Sequence, residues 1–365
     1  MILIRDILRV LEAWAPLSRQ ENYDNAGLIT GDAAWPVKGI MVCLDSTEAV
    51  LDEALEKGCN LVIAHHPIVF GGLKKITGRN YVERTVIKAI RNNIAIYAIH
   101  TNLDNVQSGV NAEICRRLGL ENTRILAPKK DLLYKLSVFV PLNDTEKVAE
   151  ALFSAGAGRI GNYDSASFRS AGTGTFRPLD GSNPHIGKNG VREEVAENQL
   201  EVLLDTDTLH SAVQAMLQAH PYEEPAYDII PLHNAHKEVG SGMSGELPQP
   251  VPAADFPAYV KEKMGLSMLK YTATAGTHIR RVAVCGGSGI FLLPKALQSG
   301  ADAFITSDVK YHEFFDAEER LMLLDIGHYE SEQYTIDLIL RKLQSQFQGI
   351  PAMATGIRTN PVQYL

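Results

Sequence analysis

Residues 39–67 read GIMVCLDSTEAVLDEALEKGCNLVIAHHP and spell out one repeat of an α/β sheet. GIMVCLD is a strand, STEAVLDEALEKG a helix with Ser46 or Thr47 as its cap, and NLVIAHHP a second strand. Both strands are continuously apolar rather than alternating, as in parallel sheets covered by helices on both faces. The second strand ends unusually. Leu61-Val62-Ile63-Ala64 delivers two adjacent histidines, His65 and His66, straight into Pro67. Strand ends ordinarily carry Gly, Asn or Asp, which turn cheaply. Two imidazoles are costly to bury there and read as ligands. Neighbouring side chains of an extended chain point opposite ways, so the pair suits two different ions better than one.

The rhythm continues outward. YVERTVIKAIRNN is a helix, IAIYAIHTNLD a strand, and GVNAEICRRLG a helix stopped by Gly119. In such sheets ligands collect beyond the carboxyl ends of the strands, where His65, His66, His100 and Asp104 all fall. The middle of the chain differs. YKLSVFVP, DTEKVAEALFSAG, a Gly/Ser-rich hairpin around NYDSASFRSAGTGTFRP, NQLEVLLD, TDTLHSAVQAMLQAH and AYDIIPL follow the βαββαβ order of a ferredoxin-like module. The loop RPLDGSNPHIGKNGVRE is turn-rich and expected to be exposed. HPYEEPAYDI (His220 to Ile229) reads as a rigid proline turn before an edge strand. HNAHKEVGSGMSGELPQPVPAADF, rich in Gly and Pro, reads as a linker, after which the α/β alternation resumes, with KYHEFFDAEERL as a helix and YESEQYTIDLILRKLQSQF as a final long helix. The expectation is an α/β core in two halves, residues 1–130 and 236–365, interrupted by a ferredoxin-like insert at 131–235.

Bulk properties narrow the function. The chain of 365 residues is 45% hydrophobic and 21% charged, ordinary for a globular protein with more than one domain. It can bury sizeable cores, so any metal site is free to be functional. A formal charge of −8 without a basic run argues against nucleic-acid binding. Lys74, Lys75 and Arg79 form a local cluster that could draw in an anionic substrate. Cys43, Cys59, Cys115 and Cys285 form no C-x-x-C pair and read as buried reduced thiols of a cytoplasmic protein. MILIRDILRVLEAWAPL reads as an amphipathic helix ending before Pro16, not as a signal peptide, and no apolar run is long enough to span a membrane.

Three further segments carry chemistry. GHYESE sets His328 and Glu332 four apart on one helical face, above an apolar stripe through Ile336, Ile339 or Leu340, and Leu343. An unpaired Glu there would be expensive. With His65, His66, His100 and Asp104 these residues offer imidazoles and carboxylates but no thiolate. That set suits zinc, iron or manganese, with a carboxylate able to bridge two ions. CGGSG (Cys285 to Gly289) matches neither dinucleotide nor P-loop fingerprints and reads as a tight turn lining the same crevice. SDVKYHE places Asp308, Lys310 and His312 at another strand end, as candidates for catalysis or substrate contact.

Taken in order, YDNAGL, AHHP, HTNLD, CGGSG, TSDVKYH and GHYESE resemble the GTP cyclohydrolase I type 2 homologues, the Nif-three-like proteins. The middle segment with HPYEEPAYDI resembles the CutA/PII-like insert of the longer bacterial members. The resemblance implies two divalent ions per chain, zinc first and iron or manganese as alternatives, held by His65, His66, Asp104, His328 and Glu332. Glu332 would be the bridge and His100 would lie close by. It also implies a ring-shaped homohexamer whose metal sites face an interior cavity. The expected activity is hydrolysis of a small polar or nucleotide-like substrate such as GTP; the alternative is a metal-containing regulatory or interaction hexamer without turnover. Many family members carry TGD where this chain has Thr306-Ser307-Asp308, which keeps the aspartate.

Overall fold

A computed structural model describes residues 1–365. Contacts divide the chain into two units, one of Met1–Pro128 with Lys237–Leu365 and one of Lys129–His236. In chain order the first unit begins with α1 (Ile4–Trp14), β1 (Gly27–Thr30), β2 (Ile40–Asp45), α2 (Glu48–Glu56) and β3 (Leu61–His66). There follow α3 (Tyr81–Arg91), β4 (Ala95–Ala98), α4 (Thr101–Asp104), α5 (Val110–Arg117) and β5 (Glu121–Pro128). Helix starts are set by side-chain oxygens: Thr47 Oγ1 accepts from Val50 N at 3.3 Å, and Asn80 Oδ1 from Glu83 N at 2.9 Å. Strands β4, β3, β2 and the late strand β15 (Ala352–Ala354) run parallel in the order β1-β4-β3-β2-β15, with β1 antiparallel at the edge.

The second unit contains β6 (Leu133–Pro141), α6 (Thr145–Ser154), β7 (Ser167–Phe176), β8 (Glu193–Asp205), α7 (Thr206–Ala219) and β9 (Tyr227–Leu232). Its antiparallel sheet has the order β7-β8-β6-β9. Leu136, Val138, Leu200 and Val202 pack against Val148, Leu152, Ala212 and Met216 of the two helices.

The first unit then resumes with β10 (Gly240–Pro252), α8 (Phe256–Met264), β11 (Lys270–Tyr271), β12 (His278–Val284), α9 (Leu293–Gln298) and β13 (Ala303–Thr306). It ends with β14 (Met322–Asp325), α10 (His328–Glu332), α11 (Thr335–Gln346) and β15 (Ala352–Ala354). The second sheet of this unit is β11-β14-β13-β12-β10-β5, parallel across β12-β13-β14 and antiparallel elsewhere. One core joins Ile40, Ile63 and Tyr97 of the first sheet to Val282, Ile305 and Leu324 of the second, with Leu11, Ile114, Val260 and Ile339 from helices between them. A second cluster under α2 and α3, and a third around Phe304 and Leu323, cover the outer faces. Side chains fully buried in this way each contribute about 1.5–3 kcal/mol.

Four expectations are corrected. The stretch read as a linker contains β10, a thirteen-residue strand paired on both sides. Its glycines misled the reading: a Cβ at Gly245 would stand 3.0 Å from Glu121 O and from Leu120 Cβ, so they permit close strand approach rather than flexibility. IAIYAIHTNLD is a strand only to Ala98 and then coils into α4. KYHEFFDAEERL holds a 3-10 turn, Tyr311–Ala317, not an α-helix. The final long helix is broken between Glu332 and Thr335 into α10 and α11.

Candidate metal centre

The carboxyl ends of β3, β4 and β14 face one cavity of about 770 Å³ in the first unit. His65 and His66 close β3. His65 Nδ1 donates to the Ile99 carbonyl at 2.9 Å, so its proton sits there and Nε2 presents a bare lone pair. His66 stands in parallel register with Asp45 of β2, and its Nδ1 pairs with Asp45 Oδ1 at 2.9 Å. His100, before α4, pairs through Nδ1 with Asp24 Oδ1 at 2.7 Å, and His328 through Nδ1 with Asp308 Oδ2 at 2.6 Å. Each imidazole is thus held by one nitrogen on a protein acceptor, which orients the ring and leaves the other nitrogen for the site.

Glu332 lies at the centre, 3% exposed. Its Oε2 meets His66 Nε2 at 3.0 Å and His328 Nε2 at 3.2 Å. Its Oε1 lies 3.7 Å from His65 Nε2, which in turn is 3.8 Å from Asp104 Oδ1. Those last two separations are too long for hydrogen bonds. His65 Nε2 and Asp104 Oδ1 are both buried and have no hydrogen-bond partner. Three electron-rich atoms therefore face one another with no donor among them. Burial, then the Glu332 charge, pushes the Asp104 carboxyl up to about 7. Burial also opposes ionisation of Glu332, but the close imidazoles of His328 and His66 outweigh it and hold the group well below the usual carboxylate range. A cation between these atoms would relieve both the missing donors and the like-charge contact. The residues fit a metal on these grounds. Two ligand groups, His65-His66-His100 and His66-His328-Glu332, have their donor atoms within 4.8 Å of one another.

The surrounding loops are built around this carboxylate. Asn102 accepts from His100 N at 2.8 Å and donates to the Ala15 carbonyl at 2.7 Å, fixing the turn that aims Asp104 inward. Gly287, φ 61°, lies where a Cβ would stand 2.4 Å from Glu332 Oε1. CGGSG is therefore a space-making turn beside Glu332, and Ser307 Oγ donates to the Gly287 carbonyl at 2.6 Å to hold it. Gly327, φ 88°, starts α10 where a Cβ would strike Glu330 Oε2 at 2.3 Å.

Not every expected residue arrives at the site. His65, His66, Asp104, His328 and Glu332 converge, with His100 beside them. Asp308, expected as a catalytic or substrate-contacting group, is the hydrogen-bond acceptor of His328, in a left-handed conformation at φ 56°. Lys310 and His312 are exposed and do not line the cavity, and His312 rests edge-on against Tyr311. Lys74, Lys75 and Arg79 are likewise exposed and outside the lining. Lys270, which the sequence reading missed, does line it and is paired with Asp325 Oδ2 at 2.7 Å. Asp24 and Asp45 were also missed as histidine partners. Asp45 had a signal: it ends β2 at the height where β3 delivers His66.

The family model for Duf34/NIF3 (NGG1p interacting factor 3) matches residues 2–361. The chain belongs to this family. NIF3 relatives with the name GTP cyclohydrolase 1 type 2 homolog include a Halalkalibacterium halodurans protein, 38% identical over 364 residues, with 98% of each chain covered. A Bacillus subtilis relative of the same name is 38% identical over 367 residues, covering 99% of this chain and 98% of its own. Among solved structures, a Bacillus cereus protein related to NIF3 superposes with a TM-score of 0.86 at 35% identity, covering 100% of this chain and 99% of that one. The NIF3 resemblance seen in the motifs is thus confirmed over the whole chain, with a mixed α/β fold of several sheets. No helix is long and apolar enough to cross a membrane.

Proposed function

We propose that this NIF3 chain is a dinuclear-metal hydrolase acting on a small polar, nucleotide-like substrate, with GTP as the first candidate. The observation that carries the reading is the pair of unpartnered buried atoms, His65 Nε2 and Asp104 Oδ1, set against Glu332. One ion would be held by His65, Asp104 and Glu332 Oε1, the other by His66, His328 and Glu332 Oε2. The adjacent histidines would then serve different ions, with Glu332 between them able to hold both. Imidazole and carboxylate donors without thiolate suit zinc first, and iron or manganese next. When bound, such ions acidify a water toward a pKa of about 7 and polarise a carbonyl or phosphoryl oxygen.

The chain's own residues supply the rest. The ring of His100 is anchored on Asp24, whose carboxyl, despite burial, is drawn down to about 2 by His100 and Thr101. Its other nitrogen is left to take or give a proton at the substrate. Asp308, Asp45 and the Ile99 carbonyl position the ligand histidines. Lys310 and His312 have no part in this reading. Residues 129–236 form an inserted domain of CutA/PII-like type, the chain assembles as a homohexamer in the cytoplasm, and its metal cavities face the interior.

A second reading is a metal-containing regulatory or interaction hexamer without turnover. It is favoured by Lys270 being the only Lys or Arg that lines the cavity, already engaged by Asp325. A triphosphate finds little free positive charge there. The deciding experiment is formate release from GTP by protein reconstituted separately with zinc, manganese and iron, with Asp104→Ala as the blank. Turnover lost in the variant supports the hydrolase. Absence of turnover with every metal, at about two bound ions per chain, removes GTP and leaves the regulator or the hydrolysis of another substrate.

A further inference from the structure

The second unit contains a cavity of its own, about 640 Å³, lined only by residues between Phe139 and Ala226. One wall is the glycine-rich end of β7, the other the HPYEEP turn, with Glu197 and Gln199 of β8 between them. Glu197 is 6% exposed, an expensive place for a carboxylate. Tyr222 Oη donates to its Oε1 at 2.9 Å. A Cβ on Gly174 would stand 2.1 Å from its Oε2, so a glycine at this position keeps space for the charged oxygen. The turn is rigid: His220 Nε2 donates to the Phe139 carbonyl at 3.0 Å, and His220 Nδ1 accepts from Tyr222 N at 3.1 Å. Phe176 meets Tyr222 edge-to-face at 5.6 Å, and His185 lies 6.3 Å from the same ring.

The charge balance selects the ligand. Glu197, Glu223 and Glu224 line the cavity against a single guanidinium, Arg177, which is exposed. Glu223 is engaged with Asn183 N at 3.0 Å, leaving Glu197 as the buried charge. Phosphorylated ligands meet the wrong field here. We propose that this cavity binds a small organic cation with a flat body, an amidine, guanidine or arylmethylamine. Its charged nitrogen donates to Glu197, and its ring packs against Phe176 and Tyr222. The site is independent of the metal centre and does not rest on the hydrolase reading.

The test is isothermal titration of the full-length chain with benzamidine, and with neutral benzyl alcohol as its uncharged counterpart. The expected result is one benzamidine site per chain, with benzyl alcohol at least about tenfold weaker, the size of a charge-assisted hydrogen bond. Glu197→Gln, which keeps an acceptor for the Tyr222 hydroxyl, should weaken benzamidine by about tenfold or more. Equal affinity for the charged and neutral probes would overturn the proposal, as would no benzamidine heat at millimolar concentration. Benzamidine binding unchanged by Glu197→Gln would overturn it too. The comparison of the two probes on the unaltered chain stands even if the variant fails to fold.

Discussion

Replacing Asp104 by asparagine should stabilise the metal-free chain while destroying one ligand of the metal-loaded one. The carboxyl is pushed up from 3.8 to about 7 by burial and by Glu332. Because the folded state holds its proton more tightly than the unfolded state, stability is lost as pH rises from about 4 to about 7 and stays lost above that. About three units at about 1.4 kcal/mol each give a ceiling near 4 kcal/mol; partial exposure of the side chain trims this to about 2–3 kcal/mol. Asparagine carries no charge, so it escapes that loss. Urea unfolding of chelator-treated protein should therefore show the variant more stable at pH 8, with the difference vanishing near pH 4. Adding zinc should reverse the order, since only the unaltered chain gains the full binding energy. A metal-free Asp104→Asn chain that is less stable at pH 8 would refute the argument, for the carboxylate would then be satisfied without a cation.

Metal analysis of single variants tests the division of ligands: Asp104→Ala and His66→Ala should each fall from about two ions per chain to about one, and Glu332→Gln should lose both. Asp45→Asn, which loosens the ring of His66 without touching a metal, should weaken one ion by about 10–100-fold and leave the other unchanged, as read by competitive chelator titration. Glu53 ties α2 to Thr355 and Gly356, and hydrogen bonds from Lys57 and Thr355 draw its carboxyl down to about 2. Its contribution is present above the unfolded pKa near 4.5 and lost as pH falls through about 2. Glu53→Gln should therefore cost about 1–2 kcal/mol at pH 7 and progressively less in acid, measured by thermal unfolding across pH.

The parallel strands and their helices were legible because buried strands must be continuously apolar and surface helices must show a stripe; GIMVCLD, NLVIAHHP and α5 follow both rules. That five candidates would converge was legible because histidines at a buried strand end, and a carboxylate above an apolar stripe, are too expensive to serve only as punctuation. What was hidden depended on partners far away in sequence. Gly240–Pro252 looks like a linker until β5 and β12 are laid beside it, because its glycines answer to neighbours that local composition does not reveal. Lys310 and His312 looked like site residues by position alone, yet neither is among the residues lining the cavity. Asp24 lies 76 residues from His100, so its role as an orienting carboxylate has no local signature.

The arrangement of β5 and β10 explains how a long interposed segment is compatible with an accurately built site. Pro128 and Gly240 are register partners in one antiparallel pair. The chain thus leaves the first unit and re-enters it at adjacent positions of the same sheet. Residues 129–236 lengthen a connection between two already paired strands, and loop-closure entropy grows only slowly with length. The proposed ligands come from β3, α4 and α10, none of which adjoins that connection in sequence. Asn105, which follows Asp104, accepts from Gly240 N at 2.9 Å through its carbonyl and from Ser241 Oγ at 3.1 Å through its side chain. The re-entry point is therefore pinned to the turn that carries Asp104, a proposed metal ligand.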